Sequence, residues 1–293
     1  MESTHVFLAG ATGAIGRCVL PLLLADGHTV TALVRSPEAA RRVEKAGAAA
    51  ALADAMDADA VHAAVAAAAP EVVMHQLTSL SGGDFAANAA LRIHGSRHLA
   101  DAAEAAGARR FIAQSINWMY TSGDVPAVEG VPLDLHAPEP RGRGVHAVAE
   151  LERQAARSPE WVVLRYGALY GPDTWYAPEG AFGERARRGE LAATADVTSF
   201  VHVDDAAAAA VAALSWPTGA VNVCDDEPAA GLDWVPAFCA AVGAAAPRIG
   251  DAPRDPTARG ADNGLARRRL RWTPRHASWR EGFAAFEAPA SGH

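Results

Sequence analysis

The sequence predicts an α/β protein, a doubly wound parallel sheet with a small C-terminal lobe that covers a substrate. Three observations carry this. Short apolar runs alternate with helical patterns from Val6 to about Leu214, the rhythm of a parallel sheet with crossover helices. The first run ends in the glycine-rich turn "GATGAIGR". After Asp225 the alternation stops, which fits a separate lobe.

The elements follow in order. Val6 to Ala9 is a strand, the glycine turn comes next, and "CVLPLLLADG" is a helix. "HTVTALVR" is the second strand and closes a β-α-β unit. "AAALADAMDADAVHAAVA" gives a strand ending at Asp54 and a helix capped by Asp57. "EVVMHQL" is a buried strand, "NAALRIHGSRHLADAAEAAG" a long helix ending at Gly107, and "RRFIAQS" the next strand. "VHAVAELERQAARS" is helical, "WVVLRYGALYG" a strand, "SFVHVDDAAAAAVAAL" a short strand running into a helix, and "GAVNVCD" a late strand. In "FVHVDD", His202 and Asp204 are expected to fix the strand-to-helix turn, with Asp204 as cap. The segment from Tyr120 to Gly144 is rich in Pro, Gly and acids, and is expected to be a mobile loop bordering the site.

The turn supplies the first chemistry. Gly10, Gly13 and Gly16 are spaced so that the first permits the turn, the second lets backbone approach a pyrophosphate and the third lets helix pack on strand. Thr12, Ala14 and Ile15 complete this cofactor loop. An acid at the end of the second strand would bind adenosine ribose hydroxyls, but Val34, Arg35 and Ser36 stand there. Arg35 suits a 2′-phosphate, so NADP is favoured over NAD; the bland alternative is a surface arginine. Residues 1–170, rejoined by 198–223, then form the dinucleotide-binding domain, and 171–197 with 224–293 form the lobe.

Composition narrows the partners. The net charge of -8 over 293 residues argues against nucleic acid, because phosphate binding needs a clustered basic surface, and the run Arg267 to Arg271 reads as a solvated helix face. Cys18, Cys224 and Cys239 match no metal spacing and no even disulfide framework, so no metal is expected and a reducing, cytoplasmic location is. No basic leader precedes His5 and no apolar run reaches membrane-spanning length. The expected partner is a small-molecule substrate.

"GATGAIGR", "ADAMD", "EVVMH", "HGSRHLADAAEAAGARRFIAQS", "LRYGALYGP" and "SFVHVDDAAAA" together resemble the extended short-chain dehydrogenase/reductases, the NAD-dependent epimerase/dehydratase type, and "WTPRHASWREGF" resembles their closing segment. The resemblance implies a Rossmann-like fold, a homodimer, and a cofactor whose adenine is flanked by Asp54 and Ala55. It also implies that Leu77 and Thr78 line the nicotinamide ribose and that Tyr166 and Ala168 border the nicotinamide.

The departures from that family carry as much weight. Its members keep a tyrosine and a lysine four residues apart on the helix before "LRYG", with a glutamate four residues beyond the lysine. Anchored on Glu150, the lysine position holds His146 and the tyrosine position holds Gly142. Lys45 is the only lysine, so no Tyr-x-x-x-Lys pair exists in the chain. Gly142 is expected to leave added room above the nicotinamide. The usual catalytic serine position falls on Ile116 or, one residue earlier, on Ser115, and the helix position that often carries asparagine holds Arg92.

Three groups could stand in for the missing proton relay: Ser115, Tyr120 and His146. Each has a bland alternative, as a strand-end serine, a packing tyrosine and a helix-surface histidine. Asn117 could orient a carbonyl or merely form a turn; Trp175 and Tyr176 could contact a cyclic or aromatic ligand or merely pack the lobe. His75 reads as a satisfied buried histidine. The expected activity is an NADP-dependent oxidoreductase or epimerase with a non-standard proton relay. The alternatives are a non-redox isomerase, cyclase or dehydratase, and a non-catalytic NADP-binding sensor.

Overall fold

The central strands are buried along nearly their whole length because a doubly wound sheet covers both faces. β1 (His5–Ala9), β4 (Val72–His75) and β5 (Arg110–Ile116) show this, with Phe7, Met74 and Ile112 at or near zero exposure. The computed structural model describes residues 3–80 and 83–286; Met1, Glu2 and 287–293, which end the expected domain and lobe, and Ser81 and Gly82 lie outside the described residues.

Between these strands run α1 (Gly16–Ala25), β2 (Thr29–Val34), α2 (Pro37–Lys45), β3 (Ala49–Leu52) and α3 (Ala58–Ala68). After β4 come α4 (Phe85–Ala90), a π-helical turn (Leu91–Gly95) and α5 (Ser96–Ala105); after β5 come α6 (Arg141–Ala155) and β6 (Glu160–Tyr166). The chain continues through β7 (Ala168–Tyr170), α7 (Ala181–Arg187), β8 (Ala192–Ala193), β9 (Val197–Thr198), β10 (Phe200–His202), α8 (Val203–Ala212) and β11 (Gly219–Val223). It closes with β12 (Ala229–Ala230), α9 (Gly231–Ala241), β13 (Arg248–Ile249), α10 (Gly264–Arg268) and α11 (Trp279–Ala284).

Seven strands form one sheet in the order β11-β6-β5-β4-β1-β2-β3. The pairings of β1 with β2 and β4, of β2 with β3 and of β4 with β5 are parallel. The order reverses between β1 and β4, the switch point where open α/β sheets place ligands. Helix starts obey local chemistry: Ser36 and Asp57 accept from Ala39 N and Ala60 N, and Pro37 opens α2.

The long helix expected from Asn88 to Gly107 is interrupted by the π-helical turn, where the backbone widens by one residue. The strand expected through "WVVLRYGALYG" is split at Gly167, whose N–H turns to Val223 O. Asp204 does not cap α8 with its side chain; instead the His202 ring accepts from Asp204 N at 3.2 Å.

Two compact units differ from the expected domains. The first holds 1–115, 133–164 and 207–220, and the second holds 116–132, 165–206 and 221–293. Residues 116–132 join the second because hydrogen bonds tie them there: Gly123 N to Pro256 O, Ala127 N to Gly260 O, and Arg259 to the carbonyls of Thr121, Ser122 and Val125. These bonds replace the mobile loop expected from Tyr120, and α6 already begins at Arg141.

Each unit has its own core. Phe7, Leu33, Val61, Leu99, Phe111, Leu151 and Val163 pack in the first. In the second, Tyr170, Phe200, Trp234, Phe238, Trp279 and Phe283 form an aromatic cluster with mostly edge-to-face contacts. Asp205 accepts from Arg275 N and His276 N, and Asp225 from Trp279 N, pinning the C-terminal segment to this unit.

Candidate active site

The glycine turn is built to hold a phosphate. Gly10 has φ +99°, and a side chain there would meet the Gln76 carbonyl carbon at 2.6 Å. A side chain on Gly16 would collide with Gly10 O, whereas one on Gly13 would meet only Gly10 O, at 3.4 Å. So Gly10 and Gly16 serve the close turn, and Gly13 faces open space where backbone can approach a ligand. Gly13 N donates to Gly10 O at 3.0 Å, while the amides of Ala14 and Ile15 have no backbone acceptor among the described residues. Two unpaired N–H groups before a helix N-terminus suit an anion, so these residues fit a dinucleotide pyrophosphate. Thr12 is exposed beside them.

The residues expected at the adenosine (Arg35, Asp54, Ala55) and at the nicotinamide ribose (Leu77, Thr78) lie in the same unit. Arg35 is exposed directly after β2. Asp54 is exposed, with its carboxylate accepting from Met56 N at 2.9 Å, and Ala55 is buried with its carbonyl bonded to the His98 ring. Leu77 N donates to His75 Nδ1 at 3.1 Å, and Thr78 is exposed.

The relay candidates do not share one environment. Ser115 is buried and donates from Oγ to Glu152 Oε1 at 2.7 Å. His146 is exposed on α6. Tyr120, in the second unit, is buried with its hydroxyl engaged on both sides, donating to Asn222 Oδ1 at 2.6 Å and accepting from Arg165 Nη1 at 3.0 Å. Glu129 belongs to the same network, accepting from Asn222 N, and burial raises its pKa above the usual carboxylate range.

Gly142 does not open the expected space. A Cβ there would meet Ala137 O at 2.5 Å, so the segment before α6 fills the position with its own backbone.

In the second unit, Asn117 N donates to Tyr166 O at 3.0 Å, and the buried Asn117 Nδ2 has no partner among the described residues. The Tyr166 hydroxyl donates to Ala206 O, and Ala168 is buried on β7. Tyr176 packs in the lobe: its ring stacks on Phe182 at 4.2 Å and meets Phe200, Trp234 and Phe238 edge-on, and burial pushes its phenol pKa up. Tyr176 thus packs against the lobe core while staying half-buried, as does Trp175.

Sequence reasoning missed Glu152. Val145, Val148, Leu151 and Ala155 mark the buried stripe of α6, and a half-buried acid at position 152, one turn beyond Val148 at the edge of that stripe, was the available signal.

Comparison with known proteins settles the family. The family model for NAD(P)H-binding proteins matches residues 10–215. The chain belongs to the NAD(P)H-binding family. Its fold is that of the extended short-chain dehydrogenase/reductases, and it is an NAD(P)-dependent enzyme of the oxidoreductase/epimerase type. It is 46% identical over 307 residues to a 3-diazoavenalumate denitrifying reductase from Streptomyces sp., covering 95% of this chain and 98% of that one. It is similar to the UDP-glucose 4-epimerase of Thermus thermophilus, solved in complex with NAD, at 26% identity and a TM-score of 0.72 over 96% of both chains. Bordetella bronchiseptica WbmH, solved with NAD+, shares the fold at 20% identity and a TM-score of 0.78, over 97% of both chains. Among the described residues of this NAD(P)H-binding protein, no helix is long and apolar enough to cross a membrane.

Proposed function

We propose that the chain is an NADPH-dependent reductase that replaces the diazo group of an organic acid, reacting as its diazonium cation, by hydrogen and releases dinitrogen. The observation that carries this reading is an intact cofactor loop in a chain without the tyrosine-lysine pair, and the 46% identical denitrifying reductase supports it. When bound, the reduced nicotinamide supplies a hydride. Net, a diazonium that takes up a hydride exchanges its C–N bond for C–H, expels neutral dinitrogen and consumes no proton. Carbonyl reduction, by contrast, needs a proton at oxygen, the task of the missing pair.

Each residue then has a bounded role. Gly10, Gly13 and Gly16 with the Ala14 and Ile15 amides hold the pyrophosphate, and Arg35 pairs with the 2′-phosphate. Ser115 and Tyr120 keep their hydroxyls in intrachain bonds. His146 stays a surface histidine.

The test is turnover of a diazo-bearing carboxylic acid with NADPH, following NADPH loss and dinitrogen release together. Equal stoichiometry is expected, and Ser115→Ala, Tyr120→Phe and His146→Ala should each stay within about threefold of the parent. A drop of about a hundredfold in any of them, with cofactor binding kept, would restore a proton relay to the mechanism. No turnover of any diazo acid would remove the reading.

A further inference from the structure

Arg92 is a buried cation with no anion of the protein's own. It stands on the π-helical turn with 8% of its surface exposed, and its guanidinium makes no hydrogen bond or ion pair among the described residues. Its backbone carbonyl is occupied, accepting from Ser96 Oγ. Burial alone pulls its pKa down to about 10, with no carboxylate holding it up. The ionisable neighbour that feels its charge is His75, at the end of β4, and that ring is no counter-ion: burial and Arg92 hold its pKa at about 4, so it is neutral.

His75 points to the same gap. Its Nδ1 accepts from Leu77 N, which leaves the proton on Nε2, and buried Nε2 has no acceptor. Two donors without a protein acceptor thus belong to one electrostatic neighbourhood, His75 at the carboxyl end of the strand bordering the switch point and Arg92 on the π-helical turn. Unlike His75 Nε2, no guanidinium nitrogen of Arg92 is fully enclosed, so the head reaches the surface where an anion can take a bidentate bond.

We infer that Arg92 is the anchor for the substrate's carboxylate, binding it through the guanidinium, with His75 as the neutral residue that positions it. This rests on the reading of the substrate as an organic acid. It makes Arg92 a specificity-determining residue, selecting acids over neutral analogues.

The experiment compares the parent with Arg92→Gln and Arg92→Lys, using the diazo acid and its methyl ester, with NADPH affinity and thermal unfolding measured alongside. Arg92→Gln should cut kcat/KM for the acid by about 30- to 100-fold, mainly through KM, leave the ester unchanged and keep NADPH affinity within about twofold. Arg92→Lys should recover part of the loss. Thermal stability without ligand should not fall in Arg92→Gln, because no intrachain bond is removed. A retained preference for the acid, an equal loss of NADPH affinity, or an unfolded Arg92→Gln protein would each overturn the assignment. If the parent does not turn over the diazo acid, benzoate and benzamide replace it in thermal shifts with NADP+ present. Stabilisation by benzoate alone, lost in Arg92→Gln, keeps the anchor while the diazo reading falls; no stabilisation of the parent by benzoate removes both.

Discussion

Ser115 Oγ donates to Glu152 Oε1 at 2.7 Å, joining the end of β5 to the edge of the buried stripe of α6. A hydroxyl committed to a carboxylate inside the first unit holds strand to helix. Ser115→Ala should therefore cost about 1–3 kcal/mol in urea unfolding while changing turnover by less than about threefold. Lost turnover at unchanged stability would assign the serine to catalysis.

The closed space at Gly142 makes a tyrosine-lysine pair hard to install on α6. Because its Cβ would meet Ala137 O at 2.5 Å, Gly142→Ala is expected to lower stability by about 1–3 kcal/mol. Gly142→Tyr with His146→Lys should unfold at lower temperature and gain no epimerase activity. A melting temperature equal to the parent's would show that the segment before α6 yields.

Gly13 and Gly16 should separate binding from folding. Gly13 meets only Gly10 O, at 3.4 Å, whereas a side chain on Gly16 collides with that same oxygen. Gly13→Val is expected to fold and lose cofactor, as seen by fluorescence titration; Gly16→Ala should lose stability first, seen as a lower melting temperature. Cofactor binding by a folded Gly13→Val protein would place the pyrophosphate elsewhere.

Arg35→Asp should weaken NADPH by about tenfold or more and NADH by less than about threefold, since it removes a charge-assisted bond and adds repulsion toward a 2′-phosphate. Dissociation constants for the two cofactors, measured side by side, decide it. Equal losses would leave Arg35 a surface residue.

His75 links stability to pH. Folded His75 stays neutral down to about pH 4, while in the unfolded chain it titrates near the ordinary ~6.5. Its contribution is full above pH ~6.5 and is lost as pH falls through the folded value. From pH 7 to 5 the loss should be on the order of 2 kcal/mol. His75→Asn, which keeps an acceptor for Leu77 N, should lose less over that interval in unfolding curves; equal losses would show that His75 takes no part.

The sequence by itself determined the β-α-β start, the cofactor loop, the family and the absent pair, because each rests on local pattern: apolar runs, glycine spacing, a count of lysines. Asp57 as a cap was equally legible, since a cap is chosen within one turn of chain. Only the tertiary structure decided which hydroxyls are spent. Ser115 meets a glutamate 37 positions away and Tyr120 an asparagine 102 away, and no periodicity encodes such pairings. It also decided that Gly142 is filled by Ala137, that the Tyr176 ring stacks on Phe182, that Arg92 is buried with no carboxylate beside it, and that His75 Nε2 is enclosed without an acceptor. The physical reason is the same each time: burial and hydrogen-bond partners are properties of segments packed from distant parts of the chain, and a residue's identity states what it can bond to but not what it meets.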